Sequence, residues 1–303
     1  MIGEKKDFIS LEDFTAAEIT GLVKLAADFK KHRQQKKTRS LLAGKKLGMI
    51  FAKNSTRTRV SFETGIYELG GMGIFLSQND LQLGRGETVS DTGHVLERYI
   101  DAIMIRTHAH SDVLELARAV SIPVINGLTD WCHPCQILAD LLTVWEQRKT
   151  LKNLKVAYIG DGNNVANSWI YAAQKLGFSL CVASPASCAV SDKITDSCHN
   201  KNIRFTEDPE EAARDADILY TDVWVSMGQE AGAEERIKAL EPYQINAGLA
   251  SLAKKDYIFL HCLPAHRGQE VSADIIDGPH SLIFAQAENR LHAQKAVMYR
   301  LMK

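Results

Sequence analysis

The sequence has little of several features that would define a protein class at once. Six of its 303 residues are cysteine, seven are proline, and 7% are aromatic. Six cysteines at irregular spacings in a chain of this length do not form the disulfide framework of a small secreted domain. No apolar run approaches the roughly 18 residues of a membrane-spanning helix. The first residues lack the basic and then apolar pattern of a secretory signal. We therefore expect a cytoplasmic protein with no membrane partner.

The chain also lacks an excess of charge of either sign. Its 36 lysine and arginine residues balance 37 aspartate and glutamate residues, which leaves a net charge of −1 with histidine neutral. Such a chain has no overall field to attract nucleic acid, so we expect no nucleic-acid partner. The 45% of hydrophobic residues is enough for a folded core and excludes a disordered protein. At ~150 residues per domain, the length indicates two domains.

Short apolar runs alternate with helical patterns along the chain. Between the runs, apolar residues three and four apart, such as Phe62, Ile66 and Leu69, predict helices. This alternation predicts α/β architecture with parallel sheets covered by helices, and nine runs predict two doubly wound domains rather than one. The predicted strands are Lys46–Ala52, Met72–Ser77, Ala102–Ile105, Ile122–Ile125, Lys155–Ile159, Phe178–Ala183, Ile203–Thr206, Ile218–Tyr220 and Tyr257–Leu260.

A polar break at residues 149–153 gives the best domain boundary, because a new predicted strand follows it. We predict a first domain over residues 1–148 and a second over residues 149–283. The segment 284–303 is a long helical pattern after the last strand, and such a helix can pack back on the first domain.

Ligands bind at the carboxyl ends of the strands in open parallel sheets, so the residues that follow each strand are the informative ones. After the first strand, Ser55 is a good N-cap for a helix whose first N–H groups have no partner. Those donors, the nearby hydroxyls, and Arg57 and Arg59 would converge on one small anion, and we favour a phosphate. The alternative is a solvated basic turn. The Walker A pattern is absent.

Two further strands lead to polar residues. Arg106 follows a buried strand, where an unpaired charge would be costly. It either pairs with Asp101 or a nearby helix, or its guanidinium group donates to the same anion as Arg57. His133 and Gln136 flank the start of the helix that opens at Pro134, so both can point over the strand ends. For His133, hydrogen-bond donation to a carbonyl oxygen is the favoured role.

Two patterns resemble cofactor sites but fail a closer test. Cys132, His133 and Cys135 suggest zinc, but a closed zinc site needs four ligands, so the cysteines are better explained as small core residues. The segment 160–165 resembles the dinucleotide fingerprint, but Val165 replaces its third glycine and no acid follows the next strand, which ends at Ser184. The asparagines of that segment could instead bind a polar or carboxylate group of a substrate. We expect neither a metal nor an organic cofactor.

The last two strands are followed by an acid and a thiol. Asp222 precedes a hydroxyl and a glycine, a set that could clasp an amino acid, although an ordinary strand-to-loop cap is the alternative. Cys262 could be a nucleophile activated by His261 or His266, a polar orienting group, or simply buried.

Four motifs occur along the chain, namely Ser55–Arg59, His133–Gln136, Asp222–Gly228 and His261–Pro264. In sequence and in order, they resemble the motifs of the aspartate/ornithine carbamoyltransferase family. The resemblance covers essentially the whole chain, and its last two motifs point to the ornithine branch. It implies transfer of the carbamoyl group from carbamoyl phosphate to the δ-amine of L-ornithine, which gives L-citrulline and phosphate in arginine metabolism. Carbamoyl phosphate is an activated mixed anhydride, so no covalent nucleophile is required.

The resemblance also implies a role for each matching residue. The first domain, with the helix 284–303, would bind carbamoyl phosphate, and the second domain would bind ornithine. Catalysis would fall to Arg57, Arg106, His133, Asp222 and Cys262. Carbamoyl phosphate would be held by Ser55, Thr56, Arg57, Thr58, Gln82, Arg106, His133, Gln136, Cys262, Leu263 and Arg290. Ornithine would be held by Asn164, Asp222, Ser226 and Met227.

The family resemblance further implies a homotrimer or a multiple of trimers. The loop 81–87, which carries Gln82, would reach into the site of a neighbouring subunit. Gly93 and His94 replace a pair that is usually alanine-arginine in similar proteins, and we expect this to affect the stability or subunit contacts of their helix.

Other functions remain as alternatives. One is a transcarbamylase for another amine, such as putrescine, which lacks the α-carboxylate that the Asp222 clasp would need, or an N-acylated ornithine. Another is a nucleotide-binding oxidoreductase, which Val165 and Ser184 disfavour. The last is a phosphate-binding module without activity, which would bind carbamoyl phosphate and form no citrulline.

Overall fold

The structure is a computed structural model that describes residues 6–36, 40–78, 81, 86–225 and 232–303. Contacts divide the chain into two units. Unit 1 comprises Met1–Leu142 and Glu288–Lys303, and unit 2 comprises Thr143–Ala287. The functional domain boundaries predicted at 148/149 and 283/284 stay predictions.

Unit 1 alternates helices and strands. Its strands are mostly apolar, as expected for a parallel sheet that helices cover on both faces. They pair in parallel in the order β2-β1-β3-β4. The elements are α1 (Ala16–Gln34), β1 (Lys46–Phe51), α2 (Thr56–Glu68), β2 (Met72–Ser77), α3 (Val89–Leu96), β3 (Ala102–Arg106), α4 (His110–Ala119), β4 (Val124–Leu128) and α5 (Pro134–Arg148).

Unit 2 repeats the pattern with five parallel strands in the order β7-β6-β5-β8-β9. Its core includes Trp224 and Phe259, both almost fully buried. The elements are β5 (Lys155–Ile159), α6 (Asn164–Leu176), β6 (Ser179–Ala183), α7 (Asp192–Asp196), β7 (Ile203–Thr206), α8 (Pro209–Ala213), β8 (Ile218–Thr221), α9 (Ala233–Leu240), α10 (Ala247–Ala250), β9 (Ile258–His261) and α11 (Ala273–Ile276). The last helix, α12 (Ile283–Met302), begins in unit 2 and continues in unit 1.

The order of the strands places a switch point in each sheet. In unit 1 the chain runs outward from β1 in one direction and from β3 in the other. In unit 2 the corresponding neighbours are β5 and β8. Ligand sites of open parallel sheets lie at such points, beyond the carboxyl ends of the strands. Residues that follow β1 and β3, and those that follow β5 and β8, are therefore the ones to inspect.

The residues of α12 from Glu288 onward belong to unit 1. The Lys295 ammonium forms an ion pair with Glu68 of α2 at 2.7 Å. The ring of Tyr299 packs edge-on against Phe29 of α1, with centroids 5.9 Å apart. The predicted fold class is confirmed: two parallel-sheet α/β domains, with the last helix packed on the first.

Local signals explain where the helices near the switch points begin. The Ser55 hydroxyl accepts a hydrogen bond from the Thr58 N–H and so caps α2. Asn163 caps α6 by accepting from the N–H groups of Val165 and Ala166. No helix in the described part of the chain is both long and apolar enough to cross a bilayer.

Candidate active site

The start of α2 in unit 1 collects hydrogen-bond donors. The first turn of α2 contains no acidic residue, so no side-chain charge on that turn offsets the positive end of the helix dipole. In β-sheet register, Phe51 at the end of β1 pairs with Arg106 at the end of β3. This pairing places the Arg106 backbone beside the loop that leads to α2.

The Thr58 hydroxyl is the hub of this group. Its oxygen receives hydrogen bonds from Arg290 Nη2 at 2.9 Å and Arg106 Nη1 at 3.4 Å, and it lies 3.1 Å from the Ser55 hydroxyl, which donates to it. Both arginines are more than nine-tenths buried. Thus Ser55, Thr58, Arg106 and Arg290 form one connected group.

His133 is buried beside these cations, and its surroundings set its protonation. Burial and the neighbouring charges of Arg290, Arg106 and Arg57 lower the pKa of His133 well below the usual histidine value. The imidazole is therefore neutral at neutral pH, with one ring nitrogen protonated and able to donate. Because three guanidinium groups lower this pKa, Arg57 is electrostatically part of the same group.

Gln136 connects α5 to the same group. Its Oε1 accepts a hydrogen bond from Arg290 Nη1 at 3.0 Å, and its Nε2 donates to Asp140 at 2.8 Å. The sequence analysis singled out Gln136 and did not consider Asp140. A signal for Asp140 was present, because it lies four residues after Gln136 and side chains at that spacing share a helix face.

Arg59 does not join the donor group, so the expectation that both arginines of the motif face one anion is wrong. Its Nε donates to Glu63 at 3.1 Å, and its guanidinium lies 3.7 Å above the Phe75 ring. The reason is helical geometry. Residues two apart on a helix are separated by about 200° around its axis, so the long Arg59 side chain leaves α2 on a different face from Arg57.

Cys132 and Cys135 are core residues, as the sequence analysis favoured. Burial raises the pKa of each thiol to about 12. The Cys132 thiol donates to the Ile9 carbonyl and the Cys135 thiol to the Asn126 carbonyl. Neither cysteine belongs to the group of possible metal ligands found among the described residues, which comprises Asp222, His261 and Cys262.

Asp222 organises a second group of polar residues at the switch point of unit 2. The Cys262 thiol donates to Asp222 Oδ1 at 2.9 Å, and Asn163 Nδ2 donates to Asp222 Oδ2 at 2.8 Å. Asn163 Oδ1 in turn accepts from the Tyr158 hydroxyl at 3.0 Å. Both carboxylate oxygens of Asp222 are thus engaged, and its orientation is fixed.

Asn163 is one of the two asparagines that the sequence analysis considered for a polar group of the substrate, and its contact with Asp222 was not predicted. The adjacent Asn164 was predicted to hold ornithine, and the structure places it half-buried at the first position of α6. Asn163 is the residue that contacts Asp222. Its position as a polar N-cap directly before a helix was the available signal.

The loop after β9 holds Cys262 and Leu263 in a constrained conformation. Leu263 has φ +61°, a left-handed value that costs free energy for a residue other than glycine. Its N–H donates to His261 Nδ1 at 2.9 Å, and the Gln286 side-chain carbonyl accepts from the His261 N–H at 2.9 Å. The first of these hydrogen bonds occupies His261 Nδ1. The expectation of a site without metal stays a prediction.

Three of the predicted site residues, Gln82, Ser226 and Met227, lie outside the described residues. Thr56 is the first residue of α2 and is exposed.

The fold and the two groups of residues define a class of protein. It is an α/β enzyme of two parallel-sheet domains, with guanidinium and hydroxyl donors for a small anion at one switch point and a carboxylate with a thiol at the other. Two family models match the two parts of the chain. The model described as "Aspartate/ornithine carbamoyltransferase, carbamoyl-P binding domain" matches residues 6–146, and the model described as "Aspartate/ornithine carbamoyltransferase, Asp/Orn binding domain" matches residues 152–301. The chain belongs to the aspartate/ornithine carbamoyltransferase family.

Individual relatives are similar over almost the full chain. An ornithine carbamoyltransferase of Carboxydothermus hydrogenoformans is 52% identical over 299 residues, which cover 97% of this chain and 96% of the relative. That of Bacillus subtilis is 54% identical over 299 residues, with 97% and 92% covered. The solved ornithine carbamoyltransferase of Pyrococcus furiosus has a TM-score of 0.94 at 51% identity, with 98% and 97% covered.

Proposed function

We propose that the chain is an ornithine carbamoyltransferase, which transfers the carbamoyl group from carbamoyl phosphate to the δ-amine of L-ornithine and forms L-citrulline and phosphate. The observation that carries this proposal is the buried donor group at the start of α2. There, the guanidinium groups of Arg106 and Arg290 donate to the Thr58 hydroxyl, and their charges together with that of Arg57 help keep His133 neutral. Relatives above 50% identity that carry this name support the same substrates.

The donor group of unit 1 is suited to carbamoyl phosphate. The phosphate would be held by Ser55, Thr56, Thr58, Arg57 and Arg106, since hydroxyls, helix N–H groups and guanidinium forks all donate to phosphate oxygens. The carbonyl oxygen of the carbamoyl group would accept from neutral His133, with Gln136 and Arg290 beside it. Charge that develops on this oxygen during attack is stabilised by donors that are already in place.

The acidic group of unit 2 is suited to the amine. The ornithine δ-amine must lose a proton before it attacks, because an ammonium has no lone pair. Asp222 would accept a hydrogen bond from this amine, and the Cys262 thiol holds the carboxylate in orientation by donating to it. The ammonium releases one proton to solvent before the attack. The new bond then joins the amine nitrogen to the carbamoyl carbon, the bond from that carbon to the phosphate oxygen breaks, and the departing phosphate takes the second proton from the nitrogen and leaves as hydrogen phosphate.

The remaining assignments stay predictions. They are the contacts of Cys262 and Leu263 with the carbamoyl group, the roles of Gln82, Asn164, Ser226 and Met227, the homotrimer, the cytoplasmic location and the part in arginine biosynthesis. We further propose that unit 1 binds carbamoyl phosphate and that unit 2 binds ornithine.

A citrulline assay with matched arginine variants tests the proposal. We expect the wild type to form citrulline and Arg57→Ala to lose at least about 10²- to 10³-fold in rate, the usual cost of one donor to a developing oxyanion. Arg59→Ala is the control, because this arginine lies on the same helix and is directed to Glu63 and Phe75. We expect it to retain activity.

A second amine separates the proposal from its alternative. Putrescine has no α-carboxylate, and we expect the wild type to carbamoylate ornithine far faster than putrescine or N-acetylornithine. Faster carbamoylation of either of these amines, or no product with any, would refute the proposed function.

A further inference from the structure

Asp140 is a fully buried carboxylate next to the donor group of unit 1. It lies one helical turn after Gln136 on α5, and both side chains are at most 1% exposed. Gln136 Nε2 donates to Asp140 Oδ1 at 2.8 Å. Burying a carboxylate is costly unless it is hydrogen-bonded, so a residue of this type at this place calls for an explanation.

The neighbours of Gln136 permit only one orientation of its amide. On one side lies the Asp140 carboxylate, which accepts hydrogen bonds, and on the other lies the Arg290 guanidinium, which only donates. The amide must therefore direct its NH₂ group to Asp140 and its oxygen to Arg290, and both hydrogen bonds are present, at 2.8 and 3.0 Å. Without Asp140, the amide could rotate and present its NH₂ group to a guanidinium.

The orientation of Gln136 in turn restrains Arg290. Arg290 Nη1 donates to Gln136 Oε1 at 3.0 Å, and Nη2 donates to the Thr58 hydroxyl at 2.9 Å. Two hydrogen bonds from different nitrogens of a planar guanidinium fix both its position and the direction of its plane. The hydrogen bonds thus form a continuous series from Asp140 through Gln136 and Arg290 to Thr58.

We propose that Asp140 is a positioning residue for carbamoyl phosphate. It fixes the Gln136 amide and, through it, the Arg290 guanidinium, so that the donors at the start of α2 are in place before the anion binds. This inference rests on the proposed function, which names the anion. A displacement of about 1 Å in a positioned group can cost about 10²-fold in rate, so the effect of losing Asp140 is measurable.

Steady-state kinetics of two Asp140 variants give the first test. Asp140→Leu removes the acceptor, and we expect its KM for carbamoyl phosphate to rise by about 10- to 100-fold while its KM for ornithine is unchanged. Asp140→Asn keeps an oxygen that can accept from Gln136, and we expect it to restore a nearly normal KM. An unchanged KM for carbamoyl phosphate in Asp140→Leu would overturn the proposal.

A change at residue 136 gives a sharper test, because Asp140→Leu should then have the opposite effect on the KM for carbamoyl phosphate. In Gln136→Glu, a carboxylate faces Arg290 whichever way it turns, but it also faces the Asp140 carboxylate and is repelled by it. Asp140→Leu should therefore raise the KM for carbamoyl phosphate in the wild-type background and lower it in the Gln136→Glu background. Equal effects of Asp140→Leu in both backgrounds would show that Asp140 does not act through Gln136.

Binding of inorganic phosphate provides a readout without turnover. Phosphate should raise the melting temperature of the wild type and of Asp140→Asn, and raise that of Asp140→Leu much less. A wild-type phosphate response in Asp140→Leu would mean a merely structural role. If the wild type bound phosphate and formed no citrulline, the proposed function would be refuted. The rise in melting temperature with phosphate would still show whether Asp140 positions the anion-binding residues.

A folding failure of Asp140→Leu would not end the test. In that case Gln136→Leu is compared with the double variant Gln136→Leu/Asp140→Leu, which removes both members of the pair. If Asp140 acts only through Gln136, the two variants have the same KM for carbamoyl phosphate, and different values would contradict the proposal.

Discussion

Individual side chains in unit 1 show how burial decides the form in which a residue acts. His133 is surrounded by arginines and stays neutral because both burial and those charges disfavour a proton on the ring. A neutral imidazole can donate to a carbonyl oxygen without repelling the guanidinium groups beside it. The histidine and the arginines can therefore act on one anionic substrate together.

The positions of some candidate residues at the two switch points could be predicted from the sequence. Arg106 ends β3, Asp222 follows β8, and Arg57 lies in the first turn of the helix after β1, while their roles stay predictions. Arg290 could not be found from local spacing, because it lies more than 150 residues from Gln136 in the sequence and meets it only through the packing of α12. The amide orientation of Gln136 likewise depends on a three-dimensional partner, and no sequence pattern encodes it.

At Cys262 the structure predicts a graded effect of substitution. Cys262→Ser keeps a donor for Asp222, and Cys262→Ala removes it. We expect Cys262→Ala to lower kcat by about 10²-fold, as removal of a group that assists proton transfer does, and Cys262→Ser to lower it less. Steady-state citrulline assays on both variants check this order.

The same residue also separates two mechanisms. With carbamoyl phosphate alone, mass spectrometry should find no carbamoyl adduct on Cys262, because the thiol orients a carboxylate and does not attack the substrate. A carbamoyl adduct, or a complete loss of activity in both variants, would instead support covalent catalysis.

Asp161 gives unfolding a pH dependence that can be measured. Burial raises the pKa of Asp161 from its usual 3.8 to about 6, although Arg236 donates to it and partly offsets the rise. An acid with a higher pKa in the folded state binds its proton more tightly there, so folded-state stability falls as pH rises from about 4 to 6. Between pH 5 and pH 7, the wild type should lose about 1 kcal/mol more unfolding free energy than Asp161→Asn.

Denaturant unfolding at the two pH values measures this difference. The exposed residue Asp196 supplies the control, since Asp196→Asn should follow the wild type at both pH values. If the wild type and Asp161→Asn changed in parallel, the raised pKa of Asp161 would be wrong.

At the scale of elements, every predicted strand is present, and the differences lie at the ends. β3 extends to Arg106 and β9 to His261, one residue beyond each apolar run, because backbone pairing with Phe51 and Thr221 continues whatever the side chain. Hydrophobic pattern shows which residues are buried, and so it marks the centre of a strand better than its end. Strand order was beyond prediction, since pairing joins residues far apart in sequence.

Two glycines inside helices are predicted to respond differently to alanine. A Cβ on Gly21 of α1 would meet no atom within 4 Å, whereas a Cβ on Gly65 of α2 would lie 2.9 Å from Met298 Cε of α12. We expect Gly21→Ala to stabilise the protein by up to about 1 kcal/mol, from helix propensity alone. Gly65→Ala should gain less, because Met298 must move.

A larger side chain makes the contrast decisive. Gly65→Leu should cost about 1–3 kcal/mol by overpacking the contact between α2 and α12, and Gly21→Leu should cost little. Thermal or denaturant unfolding measures all four variants. Equal stability changes at the two positions would contradict the packing of α12 on α2.

At the scale of the whole molecule, we expect a trimer in which each active site is shared between neighbouring subunits. Sedimentation equilibrium should give a mass three times that of the chain, or a multiple of it. Arg57→Ala and Gln82→Ala subunits, each nearly inactive alone, should regain part of the activity when they are dissociated, mixed and reassembled. The reason is that a site with Arg57 from one subunit and Gln82 from its neighbour is then intact.

Two results would oppose this expectation. A monomer with full citrulline-forming activity would exclude a site that needs a neighbour. Mixed trimers without any recovered activity would place Gln82 outside the neighbouring site, even if the trimer itself formed. Reassembly of each variant by itself provides the baseline.

The division of the chain has a consequence for how the enzyme is made. Unit 2 is one continuous stretch, whereas unit 1 is built from residues on both sides of it. Domains generally fold as units during synthesis, so unit 2 can fold as soon as its own residues leave the ribosome. Unit 1 must wait for residues 288–303, because Arg290 comes from there. A nascent chain can therefore complete the donor group at Thr58 only after the whole of unit 2 has been translated.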